Sequence, residues 1–130
     1  KEKARQLIHH RLKHFAPLCG VAYKRVSIRN QRRRWGSCSS LGNLNFNYRL
    51  IFLPRALCDY VIVHELCHLK QMNHGPNFWA EVEKVLPNYL TLEAELKIIE
   101  KSRGAYLKTV PQSVLMSSYY EAPVTNGTSR

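Results

Sequence analysis

The segment from His64 to His74, His-Glu-Leu-Cys-His-Leu-Lys-Gln-Met-Asn-His, constrains this chain more tightly than any other. Residues four apart on a helix lie one turn apart on the same face, so His64 and His68 can present two imidazoles to a single ion. Leu57 and Val61 continue the same stripe, and Pro54 suits a first turn, so the spacing predicts a helix from Pro54 to about Gln71. Glu65 sits one step round that helix, where its carboxylate reaches a metal-bound water without being a ligand. For His74 to join, the helix must stop. Asn73 tolerates the left-handed conformation that ends helices, and Gly75-Pro76 redirects the chain. Glu93 and Glu95 are the other candidates for a third ligand. The donor set suits one zinc ion. Three neutral imidazoles leave its fourth position open, and zinc lowers the pKa of bound water to roughly 7, leaving Glu65 as general base. His10 and His14 repeat the four-residue spacing, but Arg11 follows His10 where an acid would be needed, so they read as part of a solvated basic face.

The rest of the chain sets the frame for that site. A length of 130 residues suggests one domain with one core. No apolar run approaches the roughly 18 residues a membrane span requires, so no membrane partner is expected. The charged start, Lys1-Glu2-Lys3-Ala4-Arg5, is not a signal peptide. Together with four cysteines that form no C-x-x-C pair (Cys19, Cys38, Cys58 and Cys67), it suggests free thiols in a reducing, cytoplasmic setting. The first residue is not Met, so the sequence can be a fragment of a longer protein. The net charge of +11 favours acidic partners, nucleic acid among them.

Periodicity gives the order of elements. Ile8, Leu12 and Phe15 mark a helix over residues 3–16, closed by Pro17 and Gly20. Val26 and Ile28 point inward from a strand over 21–30. A basic connector follows from Asn30 to Ser40, with a second turn at Gly42-Asn43. Leu44, Phe46, Tyr48, Leu50 and Phe52 then alternate with Asn45, Asn47 and Arg49, as in a half-buried strand. After the histidine helix, Phe78, Val82 and Val85 mark one helix, and Leu92, Leu96 and Ile99 a last one, ended by Gly104. Helix, strands and three further helices make an α+β layout. The domain is expected to span 1–104. Residues 105–130 form a C-terminal extension whose last ten residues read as a flexible tail, and the Asn126-Gly127-Thr128 sequon there is incidental in a cytoplasmic protein.

At this point four motifs in order closely resemble the YgjP-like metallopeptidases, relatives of the SprT-type proteases. They are Trp35-Gly36-Ser37-Cys38-Ser39, Asn47-Tyr48-Arg49-Leu50, Val63 to Leu69, and Asn73 to Trp79, and the match covers about residues 20–90. The resemblance implies a small zincin-like metallopeptidase domain, with a short mixed or antiparallel sheet packed on the active-site helix and further helices around it. It implies His64, His68 and His74 as ligands and Glu65 as general base, and it favours His74 over Glu93 or Glu95. The spacing is also that of metzincins. Those, however, carry Gly where this chain has Gln71, and Ser113 to Tyr119 is similar to their Met-turn only with an extra residue on each side of Met116.

These readings point to zinc-dependent hydrolysis of peptide bonds in a protein or peptide substrate. An extended substrate is commonly held by pairing with an edge strand. The 43–49 strand, with Asn45, Asn47 and Arg49 on its polar face, is the expected cleft wall. Arg49, Tyr48, Tyr60 and Tyr89 are all candidates to stabilise the oxyanion, and the sequence does not choose among them. The alternative is a basic nucleic-acid-binding module with a structural zinc, or a DNA-associated protease combining both. In that reading Arg32, Arg33 and Arg34 bind phosphates while Trp35 stacks on a base.

Overall fold

A computed structural model describes residues 2–30 and 34–101. The elements run α1 (Glu2–Cys19), β1 (Arg25–Arg29), β2 (Gly36–Cys38), β3 (Asn43–Asn47), a 3-10 helix (Tyr48–Phe52), α2 (Arg55–His68), α3 (Pro76–Val85) and α4 (Tyr89–Lys101). This is the expected α+β arrangement. The extension from 105 onward, with its Met116 segment and sequon, lies outside the described residues, as do Arg32 and Arg33.

α1 exceeds its expected length. Pro17 gives up one backbone donor but does not stop the helix, which runs on to Cys19. Gly20 ends it at φ +72°, with its N–H donating to the Pro17 carbonyl at 3.1 Å and the Val21 N–H to the Ala16 carbonyl at 3.1 Å. That pair of bonds is the Schellman closure, which needs a residue free to enter the left-handed region. Ala4, Ile8, Leu12, Phe15, Ala16 and Cys19 form its buried face, packed on α2. Across the same interface Arg11 grips Asp59 with two bonds, Nε to Oδ1 at 2.8 Å and Nη2 to Oδ2 at 3.0 Å.

The sheet has the order β1-β3-β2, with β1 parallel and β2 antiparallel to β3. Two expectations are corrected here. The basic connector contains a strand, β2, whose three residues are too few to show alternation. And β3 is the central strand, with both ladders occupied, so it has no edge to offer a peptide; β2 lies at the sheet's edge with Gly36 and Cys38 buried. The hairpin between them closes on Gly42, at φ +91°, whose carbonyl accepts from the Lys24 N–H at 2.8 Å.

The expected run from Leu44 to Phe52 stays extended only as far as Asn47. There the Asn47 side chain accepts a bond from the Arg49 N–H at 3.0 Å and turns the chain into the 3-10 helix. Such local side-chain bonds compete with the strand ladder.

α2 runs through the middle of the molecule. It touches α1, β2, the 3-10 helix, α3 and α4, and every residue from Tyr60 to His68 is buried. Along this enclosed stretch apolar side chains are expected all round, so the buried His64, Glu65 and His68 are exceptions that require a reason.

Candidate metal centre

The three histidines converge. Their ligand atoms all lie within 4.8 Å of one another, and the Nε2 atoms of His68 and His74 are 3.0 Å apart. Two nitrogens on a tetrahedral zinc, each bonded at 2.0–2.1 Å, would be about 3.3 Å apart, so the donor set fits such an ion. Hydrogen bonding prepares the His68 ring. The His68 Nδ1–H donates to the Gln71 carbonyl at 2.9 Å, and His64 Nδ1 lies 3.3 Å from Glu65 Oε2. The Gln71 carbonyl can only accept, so in His68 the proton sits on Nδ1 and leaves Nε2 with a lone pair to give, as a ligating histidine requires. Burial, and after it the neighbouring His64, pushes His68 down to about 4, so the ring is neutral near pH 7. His64 and His68 are buried in α2, while His74 is exposed at the end of the turn. That turn leaves the helix through Leu69, Lys70 and Gln71, whose N–H groups donate to the carbonyls of Leu66 and Cys67. Among the described residues it is His74, rather than Glu93 or Glu95, that joins the pair.

α3 walls the cluster. Phe78 stacks on His68 with ring centroids 4.3 Å apart, Trp79 stacks on His74 at 5.9 Å, and Tyr89 stacks on Trp79 at 5.4 Å. In the sequence Phe78 reads only as a core position. Its second duty, and that of Trp79, depends on how α3 folds back over α2, a non-local fact that spacing does not carry. Glu65 is fully buried beside His64.

The other sequence candidates are dispersed. Asn45 is half-buried and donates to Ser37 Oγ at 3.4 Å, while Arg49 donates to the Tyr48 hydroxyl at 3.0 Å and lies over its ring. Asn47 is only 1% exposed, and its amide donates to the Arg34 carbonyl at 3.1 Å. Tyr60 is buried with its ring 5.8 Å from His64. His10 and His14 are exposed on α1. Trp35 corrects an expectation: it is wholly buried and donates through Nε1 to Glu100 of α4 at 2.9 Å, so it has no face on which a base could stack. Cys38 is no activated nucleophile. Burial, and after it the charge of Glu65, pushes its thiol up to about 12.

The comparisons agree with this geometry. No curated protein matches the chain at a significant level. Among solved structures, the crystal structure of the metallopeptidase zymogen of Pyrococcus abyssi abylysin matches with a TM-score of 0.63 and 28% identity, covering 72% of this chain and 93% of that one. The YgjP-like metallopeptidase domain matches residues 1–98, and with three quarters of its length inside that match this chain belongs to the YgjP-like metallopeptidase family.

Proposed function

We propose that the domain hydrolyses peptide bonds with one zinc ion held by His64, His68 and His74. The observation that carries this reading is the convergence of three imidazoles beside one fully buried glutamate. A structural site of the usual four protein ligands has no need of such a neighbour. When bound, zinc supplies Lewis acidity and lowers the pKa of coordinated water to roughly 7.

The chain's residues supply the rest. Glu65 accepts the proton of the attacking water and returns it to the leaving amine, the two halves of general acid–base catalysis. It lies fully buried beside His64, one residue along the same helix. The exposed His74 and the half-buried Trp79 and Tyr89 form the solvent side from which a substrate would enter. β2 is the strand proposed to pair with an extended peptide. Trp35 and Ser39 bond to Asn47 and Asn43 of β3. By the alternation of an antiparallel ladder, the backbone groups of Gly36 and Cys38 therefore turn away from β3.

Glu65→Gln tests the proposal, because it keeps the side chain's shape and removes its basicity. The variant should fold, bind zinc as the wild type does, and cleave an unstructured test protein about a hundredfold more slowly or worse. The measurement is cleavage rate per bound zinc, and equal rates in the two proteins would refute the mechanism.

A further inference from the structure

Charge is divided unevenly along this chain. Residues 1–55 hold thirteen of the 20 Lys and Arg and, of the nine acids, only Glu2, a net charge of +12, while residues 56–130 carry a net −1. The fold turns part of that imbalance into a shaped surface. An open cleft of about 620 Å³ lies between the outer face of α1 and the start of α2, lined by Lys3, Gln6, Leu7, His10 and Arg55. Lys3, Gln6 and His10 are spaced three and four apart and so share one face of α1. Arg55 opens α2, whose N-terminal end adds its own positive partial charge. Among the described residues, no carboxylate lines the cleft. Asp59, one turn along α2 from Arg55, is neutralised by the two bonds from Arg11.

We propose that this cleft binds the phosphodiester backbone of nucleic acid. A recess lined by Lys3, Arg55, Gln6 and His10 offers cations and hydrogen-bond donors complementary to a string of phosphates. Among the described residues the lining contains no aromatic on which a base could stack, so the proposed contacts are to the backbone, without sequence preference, and binding is expected to be no weaker for duplex than for single strands. A membrane surface is the poorer match. Interfacial helices insert large apolar side chains, whereas the exposed large hydrophobics of the described residues, Leu18, Leu41, Leu90 and Ile98, all lie outside the cleft. The site is separate from the histidine cluster, and its test reads binding rather than hydrolysis, so it stands or falls independently of Glu65.

Fluorescence anisotropy with a short labelled DNA duplex of arbitrary sequence, titrated at rising potassium chloride, decides the matter. Lys3→Glu/Arg55→Glu alters two exposed positions, and a thermal melt checks its folding. It should weaken binding about tenfold or more and make the salt slope shallower by about two. Lys3→Gln/Arg55→Gln is the milder variant should the first misfold, and should weaken binding in the same direction. Lys84→Glu/Lys97→Glu makes the same change in net charge on the exposed faces of α3 and α4, and should leave affinity nearly unchanged. Replacing Arg32, Arg33 and Arg34 by Ala should cost less than the cleft variant. Four outcomes would overturn the proposal: no salt-dependent binding by the wild type, equal losses in the cleft and control variants, loss confined to the arginine-loop variant, or capture by phosphatidylserine vesicles without binding to duplex.

Discussion

Asn47 ties three pieces of backbone together. Its amide donates to the Arg34 carbonyl, its carbonyl oxygen accepts from the Arg49 N–H, and its own backbone N–H donates to Trp35 at 2.8 Å. In the sequence it looks like one of several solvent-facing positions of an alternating strand, because periodicity reports which face a side chain takes and nothing about a local bond that ends the strand. Asn47→Ala would leave buried groups unpaired and should lower stability by about 1–3 kcal/mol. Denaturant unfolding checks this, with zinc content expected to stay as in the wild type. The histidines are the opposite case. Four-residue spacing pairs His64 with His68, and the helix break makes His74 a candidate third ligand beside Glu93 and Glu95; the family resemblance, not the spacing, favours His74, which is the residue found with the pair.

At the scale of elements, helices were more legible than strands. The apolar stripes of α1, α2, α3 and α4 repeat over about two turns or more, whereas β2 is three residues within an arginine-rich connector. Its place depends on close approach. A Cβ added at Gly36 would come within 3.0 Å of both the Asn45 carbonyl oxygen and the Phe46 ring of β3. Gly36→Ala should therefore push β2 away from β3 at a cost of about 1–3 kcal/mol, the usual penalty of overpacking. If β2 also receives substrate, the same variant should raise KM more than it lowers kcat. A thermal melt together with steady-state kinetics separates the two effects. The central position of β3 could not have been read from alternation, since parallel pairing with β1 joins residues some eighteen apart, Val26 opposite Leu44 and Ile28 opposite Phe46.

At the scale of the whole molecule, the candidate site and the core share one helix. α2 contributes both the first two imidazoles and the apolar surfaces against which α1, α3 and α4 pack. Metal binding is then linked to folding. A zinc concentration a hundred times Kd adds about 2.7 kcal/mol to stability, so stripping the metal with a chelator should lower Tm by about 10 °C or more in a domain of this size. Adding zinc back should restore it, and His68→Ala should respond to neither treatment. Circular dichroism melts read all three. A Tm unmoved by chelation, in protein shown by elemental analysis to have lost its zinc, would separate the site from the core.

The histidines also differ in how they are held. Two stand on an enclosed helix and the third stands exposed after a short turn at residues 69–73. Opening a surface turn costs far less than unfolding a core helix. An ion held here could thus lose one ligand and keep two, leaving or arriving while the core stays closed. Its residence time would be set by how often the His74 turn lifts, so capacity to hold zinc would belong to α2 and the tempo of exchange to a few residues at the surface.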